Sequence, residues 1–176
     1  MAQPKFIFTG TPGVGKTTAI EAISEVPLIK TEVPTTDALA ARKATTTVAM
    51  DYGEFSLDDG QKIRLYGTPG QKRFEFMWRI LIDGGLGLII LVDNSRDDPL
   101  ADLSTYLEDF GDYIDQTAAV VGITRLGDHP APTLDEYVEL MAQKGQIHPV
   151  FEVDIRQTDD VLLLIDALLS CLEEAA

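Results

Sequence analysis

Short apolar runs alternate along this chain with segments in which apolar residues recur at helical spacing. Two extended segments, 48–57 and 62–66, flank Asp58-Asp59-Gly60-Gln61, whose Asp-Gly pair favours a hairpin. Periodicity predicts further strands at 5–9, 86–92, 118–123 and 149–153, and helices at 15–24, 74–83, 103–114, 133–144 and 159–173. This order predicts a three-layer α/β fold, with helices on both faces of a mostly parallel sheet of six strands, one of them antiparallel.

The segment 27–46 carries prolines and threonines without a clear period, which predicts a long loop of the kind that usually has a function. A chain of 176 residues is long enough to bury one sizeable core, and neither a repeat nor a second domain is visible. We therefore expect a single domain over 1–176. A mean hydropathy of +0.04 with 45% hydrophobic residues is typical of a globular protein.

The net charge of −15 argues against a nucleic-acid surface, because phosphate backbones are bound by clustered lysine and arginine. The longest apolar stretches, 84–92 and 161–172, are too short to span a membrane or are interrupted by Asp166. The sequence shows no signal-peptide pattern, no myristoylation start and no prenylation cysteine, so we expect no lipid anchor and a cytoplasmic location. The one cysteine, Cys171, allows no internal disulfide.

A phosphate-binding motif follows the first strand. Residues 10–17 fit GxxxxGK[ST], whose backbone N–H groups surround phosphate oxygens at the start of a helix. Lys16 is expected on the β- and γ-phosphates, with a catalytic role, and the Thr17 hydroxyl on Mg²⁺. The predicted nucleotide contacts here are Gly10, Thr11, Pro12, Gly13, Val14, Gly15, Lys16, Thr17 and Thr18. Because the protein is so acidic, nucleotide binding should depend steeply on Mg²⁺; a glycine turn without a ligand is the alternative.

The predicted order of elements is that of a P-loop NTPase fold with a hairpin inserted after the first helix. In this order the chain resembles the small Ras-like GTPases over essentially its whole length. That resemblance implies GTP and GDP as ligands, with Mg²⁺. The segment Thr47-Val48-Ala49-Met50-Asp51-Tyr52 is similar to the family's first switch, so Thr47 is the residue expected to sense the γ-phosphate and complete the Mg²⁺ shell. The alternative is that Thr47 merely begins a strand, since β-branched residues favour strands.

The second switch departs from the family pattern. The usual Asp-x-x-Gly-Gln becomes Gly67-Thr68-Pro69-Gly70-Gln71, so Gly67 replaces the carboxylate that anchors Mg²⁺ through water. The Gly70 amide is expected to donate a hydrogen bond to the γ-phosphate, and Gln71 is expected to orient the attacking water. The alternative is that Gln71 is only a solvated loop residue. This motif resembles the bacterial MglA-type GTPases of gliding motility, which implies roadblock-type partner proteins and roles in motility, polarity or signalling.

The base-recognition motifs are altered as well. The usual Asn-Lys-x-Asp becomes residues 124–127, in which Thr124 is expected to link this loop to the phosphate loop and Arg125 to stack on a purine. Asp128 comes one residue late, and either reaches the base or only turns the chain. The last motif, usually Ser-Ala-Lys, reads Asp154-Ile155-Arg156, where the Ile155 amide is expected at the base oxygen and Asp154 beside it.

Three other charged residues have two interpretations each. Asp93 ends a buried strand and either approaches the Mg²⁺ waters or, with Asn94, turns the chain. Arg42 and Lys43 precede Thr47, where either is a candidate for the charge-neutralising finger of GTP hydrolysis or an ordinary exposed loop residue.

Together these features predict a GTPase switch that hydrolyses GTP slowly and is stimulated by partners. One alternative is a nucleotide-binding adaptor with promiscuous base choice and little hydrolysis, suggested by Gly67 and the altered base motifs. Another is a small phosphotransferase, which the absence of an arginine-rich lid argues against.

Overall fold

The computed structural model describes residues 3–35, 46–69 and 82–175. Within them the strands are β1 (Lys5–Gly10), β2 (Ile29–Thr35), β3 (Thr46–Ser56), β4 (Lys62–Gly67), β5 (Gly87–Asp93), β6 (Ala119–Thr124) and β7 (Val150–Glu152). The helices are α1 (Lys16–Ile23), α2 (Pro99–Asp109), α3 (Gly111–Gln116), α4 (Leu134–Gln143) and α5 (Thr158–Ala175). The helix predicted at 74–83 falls, except for its last two positions, outside the described residues.

The described strands form one sheet in the order β2-β3-β4-β1-β5-β6-β7. β3 is antiparallel to both of its neighbours, whereas β1 is parallel to β4 and β5, and β6 to β5 and β7. The predicted fold class, a mostly parallel sheet with one antiparallel strand, is therefore confirmed. The sheet has one strand more than predicted, because β2 forms within the expected loop 27–46 and pairs with β3 from Ile29 to Thr35. Pro34 argued against a strand there, but an edge strand tolerates proline.

Two apolar layers enclose the sheet. Phe6 and Phe8 of β1 pack with α1 and α5, whereas Ile7 between them packs with α2, α3 and α4 on the other face. β5 and β6 are buried along their whole length, as their uninterrupted apolar runs predicted. No helix in the described ranges is long and apolar enough to cross a membrane.

The expected helix 103–114 is two helices, α2 and α3, separated at Phe110, whose backbone leaves the helical region. α2 begins earlier than predicted because the Asp98 side chain accepts a hydrogen bond from the Ala101 amide and Pro99 occupies the first turn. α4 begins with a capping box between Thr133 and Glu136. The strands β1, β4, β5, β6 and β7 all end at the same edge of the sheet, and this edge carries the predicted site.

Candidate functional site

The phosphate-binding motif forms a tight loop between β1 and α1. An added Cβ at Gly10 would lie 2.4 Å from the Leu91 carbonyl oxygen, and one at Gly15 would lie 1.9 Å from Ile155 Cδ1. Gly15 also has a φ of 109°, in the left-handed region, and caps α1 without a side-chain hydrogen bond. The first amides of α1 therefore have no capping side chain at Gly15, which is the arrangement that binds anions at a helix N-terminus.

Lys16 lies folded across this loop. Its Nζ donates to the carbonyl oxygens of Gly10 at 2.7 Å and Thr11 at 3.1 Å, and the residue is only 8% exposed. Burial lowers the pKa of Lys16 to about 8, and the charge of Asp51 opposes that shift. A bound phosphate would act in the same direction as Asp51, because an opposite charge favours the ammonium form.

The second P-loop side chain, Thr17, contacts a carboxylate. Its Oγ1 donates a hydrogen bond to Oδ2 of Asp51, which lies on β3. Asp51 pairs with Gly67 in the register between β3 and β4. An added Cβ at Gly67 would lie 3.3 Å from Asp51 Cβ and 3.4 Å from its Oδ2. The carboxylate beside the phosphate loop thus belongs to Asp51 on β3, the strand that pairs with β4 at Gly67. The sequence motifs gave Asp51 no role in the site.

Thr68 fixes the chain where it leaves β4. Its amide donates to the Phe8 carbonyl at 2.9 Å, and its hydroxyl donates to Thr9 Oγ1 at 2.9 Å. Both acceptors belong to β1, directly before the phosphate loop. The chain at residue 68, where the predicted second switch begins, is therefore held against β1.

A cavity of about 740 Å³ opens beside the phosphate loop. Its walls combine the loop with the segments that follow β6 and β7, and they comprise Gly13, Val14, Gly15, Thr18, Thr124, Arg125, Leu126, Gly127, Asp128, Glu152, Val153, Asp154, Ile155, Arg156 and Asp160. All five residues that the altered base motifs predicted lie here together. Sequence reasoning did not single out Glu152.

Arg125, one of the residues that line this cavity, has a left-handed backbone conformation with a φ of 61°. Its Nη1 donates to Asp93 Oδ2 at 2.6 Å and to Ser95 Oγ at 3.2 Å. The other oxygen of Asp93 accepts from the amide and hydroxyl of Ser95, at 2.9 and 2.6 Å. Asp93 therefore has the loop-forming role that was one of its two predicted roles.

Asn94 also holds the loop after β6. Its Nδ2 donates to the carbonyl oxygens of His129 and Pro132, at 2.5 and 3.0 Å. The fully buried Tyr137 donates from its hydroxyl to Asn94 Oδ1 at 2.5 Å. The loop that carries Arg125 and Asp128 is thus held by side chains at the end of β5 and, through Asn94, by Tyr137 of α4.

Two predictions about the base side need correction or refinement. Thr124 does not show the expected link to the phosphate loop; its hydroxyl donates to the Val92 carbonyl at 3.3 Å, because β6 ends buried against β5. Asp154 accepts hydrogen bonds from Arg156 Nε at 2.9 Å and Nη2 at 2.8 Å, and these bonds hold the pKa of Asp154 down to about 2. Its carboxylate is therefore already paired within the chain.

The remaining predicted residues are not tested. Gly70, Gln71, Arg42 and Lys43 lie outside the described residues. Thr47 lies in β3, where its backbone pairs with Pro34. A strand here is compatible with both interpretations of Thr47, and its role at the γ-phosphate and Mg²⁺ stays a prediction. Over the ranges that are described, no group of three or more His, Cys, Asp or Glu side chains could hold a metal ion. Mg²⁺ on a nucleotide needs no such group, since phosphates, water and one or two protein ligands suffice.

Comparison with known proteins gives stronger support for the fold than for the identity of any bound nucleotide. A sequence family described as "Conserved hypothetical ATP binding protein" matches residues 27–111, a stretch that begins after the phosphate loop. The uncharacterized protein MJ1339 of Methanocaldococcus jannaschii is 37% identical over 94 residues, which span 53% of this chain and 53% of that protein. The chain thus spans about half the length of this curated relative.

Among solved structures, the cytosolic domain of the T. maritima FeoB iron transporter, in its GMPPNP form, matches with a TM-score of 0.68. The alignment covers 96% of this chain and 63% of that one at 20% identity. Similarity at this level establishes the fold alone, which is the P-loop NTPase fold.

Proposed function

We propose that this chain is a Mg²⁺-dependent guanine-nucleotide switch that binds GTP and GDP and hydrolyses GTP slowly. The observation that carries the proposal is the continuity of the phosphate loop with the neighbouring cavity, since Gly13, Val14 and Gly15 form part of its wall. A nucleotide with its phosphates over α1 can place its base between the segments that follow β6 and β7. An anion site and a base-sized cavity in this relation are what a nucleoside phosphate requires.

The phosphate end has the groups that phosphoryl transfer needs. The amides of the loop and Lys16 would neutralise the phosphate oxygens, and Thr17 would bind Mg²⁺, which supplies charge neutralisation to the β- and γ-phosphates when bound. Thr47, Gly70 and Gln71 are proposed to respond to the γ-phosphate, with Gln71 orienting water and Arg42 or Lys43 contributing positive charge. Loss of the γ-phosphate would release both switch segments.

Guanine is the base we propose, and the support is that carboxylates line the cavity in which the base would lie. Guanine presents N1–H and N2–H₂ donors, whereas adenine presents an unprotonated nitrogen at the corresponding N1 position, so a carboxylate favours guanine. Asp128 and Glu152 line the cavity, and Asp154 is paired with Arg156. The family description that mentions ATP refers to residues 27–111, which do not include these base-side residues. An adenine nucleotide is the second candidate on that description.

Regulation and location remain proposals drawn from the sequence. The resemblance of 67–71 to MglA-type GTPases suggests roadblock-type regulators, effectors and a role in motility, polarity or signalling in the cytoplasm. An adaptor that binds nucleotide without hydrolysis differs from this proposal in one measurable property, the fate of bound GTP.

Single-turnover assays with excess protein, Mg²⁺ and labelled GTP test the proposal. We expect slow conversion of bound GTP to GDP and phosphate without any acceptor. Bound GTP that stays intact for many hours would support the adaptor, and transfer to an added small molecule without release of phosphate would support the phosphotransferase.

A further inference from the structure

The carboxylate nearest to the P-loop threonine comes from an unexpected strand. Thr17 Oγ1 donates to Oδ2 of Asp51 on β3. In P-loop proteins this threonine hydroxyl is a Mg²⁺ ligand, and a carboxylate at the end of a neighbouring strand completes the site. Mg²⁺ keeps several of its waters in proteins, so an acid beside the ligating hydroxyl is placed to accept hydrogen bonds from them.

Gly67 leaves the space that Asp51 uses. The two residues pair directly across β3 and β4. A Cβ at residue 67 would lie 3.3 Å from Asp51 Cβ, 3.4 Å from Asp51 Oδ2 and 3.2 Å from Ile20 Cδ1. Contacts of that length are tight, so acids at both positions would crowd one another. The lack of a side chain at Gly67 therefore leaves room for the Asp51 side chain on the paired strand.

We infer that Asp51 supplies the carboxylate of the Mg²⁺ site from β3, in place of the acid that Gly67 lacks. The inference rests on the proposed nucleotide function, and it names the residue whose carboxylate would help hold the Mg²⁺ of the bound nucleotide. Asp93, the acid at the end of β5, is held by Arg125 and Ser95.

The donor set fits the ion. One hydroxyl and one carboxylate, together with phosphate oxygens and water, match the preference of Mg²⁺ for hard oxygen ligands with few protein groups. When Mg²⁺ is bound, Thr17 would turn its oxygen toward the ion and Asp51 would keep the surrounding waters and hydroxyl in place. A second-sphere partner of this kind changes metal affinity about 10- to 100-fold when it is removed.

The test is the Mg²⁺ concentration that gives half-maximal slowing of GDP dissociation, measured by fluorescence of a labelled GDP. Asp51→Asn keeps the shape but removes the charge, and should raise that concentration about tenfold or more. GDP affinity in EDTA should change little, because the loop amides and Lys16 remain. Glu21→Gln, an exposed charge removal on α1, is the matched control and should leave the Mg²⁺ midpoint within about twofold.

An exchange variant makes the assignment specific. Asp51→Gly combined with Gly67→Asp moves the acid to the opposite strand and vacates the space it needs, so the Mg²⁺ midpoint should return to within about threefold of wild type. Asp51→Gly alone should remain impaired. An unchanged midpoint in Asp51→Asn would overturn the inference while leaving nucleotide binding intact. Wild-type protein that binds neither GDP nor ADP in Mg²⁺ would contradict the proposed function itself, and the inference with it.

Discussion

The carboxylate of Glu152 lies close to the position toward which a side chain at Gly127 would project, with Oε1 4.0 Å from an added Cβ. Gly127 aligns with the aspartate that Ras-like GTPases use to read guanine, so an acid from β7 faces the place of the missing one. The same relation holds between Asp51 and Gly67. In both places a glycine stands where the resemblance to Ras-like GTPases predicts an acid, and a neighbouring strand brings a carboxylate close to it.

Glu152→Gln should weaken GDP binding about tenfold or more, because hydrogen bonds from a base to a charged group contribute roughly 1.5–3 kcal/mol. The binding of xanthosine diphosphate should weaken less or improve, since its C2 oxygen can accept from the new amide. Calorimetric titration of both nucleotides measures the ratio. Glu139→Gln, exposed on α4, is the matched control. If Asp128→Asn alters this ratio and Glu152→Gln does not, Asp128 is the base-reading acid.

Lys16→Ala should reduce GTP affinity tenfold or more, because it deletes a charge-assisted phosphate contact of roughly 1.5–3 kcal/mol. The fold should persist, since the hydrogen bonds described for this side chain are to two loop carbonyls. Equilibrium binding of GTP, with a thermal melt as the check on folding, measures both effects. Undiminished affinity in a folded Lys16→Ala protein would place the phosphates elsewhere.

Nucleotide affinity should fall with rising pH because of the same lysine. Its pKa is lowered to about 8 in the free protein and should be raised by bound phosphate. The complex then binds more protons than the free protein between these two values, so affinity is full below about pH 8 and declines above it. Calorimetry between about pH 7 and about pH 9 measures the slope. Lys16→Arg, which stays charged, should lose this pH dependence, and an equal slope in that variant would assign it to another group.

GTP hydrolysis should be slow, on the order of 10⁻⁴ s⁻¹ or less, as in unassisted Ras-like GTPases. Gln71→Leu should lower the rate further without weakening GTP binding, because aligning water stabilises the transition state and not the ground state. Single-turnover rates and GTP affinities of both proteins give the comparison. Should Gln71→Leu hydrolyse GTP at the wild-type rate, Arg42→Ala and Lys43→Ala become the variants to measure.

The sequence predicted the layers of this fold because β5 and β6 carry nearly uninterrupted apolar runs and apolar residues recur at helical spacing in the segments between strands. The hairpin turn also sets the register between β3 and β4, which the sequence analysis did not use. Pairing Ser56 with Lys62 around the Asp-Gly turn places Asp51 opposite Gly67, so the register alone identifies the acid beside the phosphate loop.

Other features depend on tertiary contacts and had no local signal. The proximity of Glu152 to Gly127 arises from the packing of two parallel strands and their loops, whose register is not set by a tight turn. β2 was not predicted because backbone pairing with β3, and not a hydrophobic period, accounts for it. Thr124 was expected at the phosphate loop by analogy, but its burial against β5 decides its partner.

Competition of GDP against ADP on the nucleotide-free protein in excess Mg²⁺ is the decisive test of guanine specificity. GDP should displace a labelled guanine nucleotide at least about tenfold more effectively than ADP, because adenine lacks the N1–H and N2–H₂ donors that a carboxylate would accept. This preference should shrink in Glu152→Gln or Asp128→Asn, whereas Lys16→Ala should weaken the binding of both nucleotides. Equal affinities for GDP and ADP, or a preference for ADP, would contradict the assignment of this chain as a guanine-nucleotide switch.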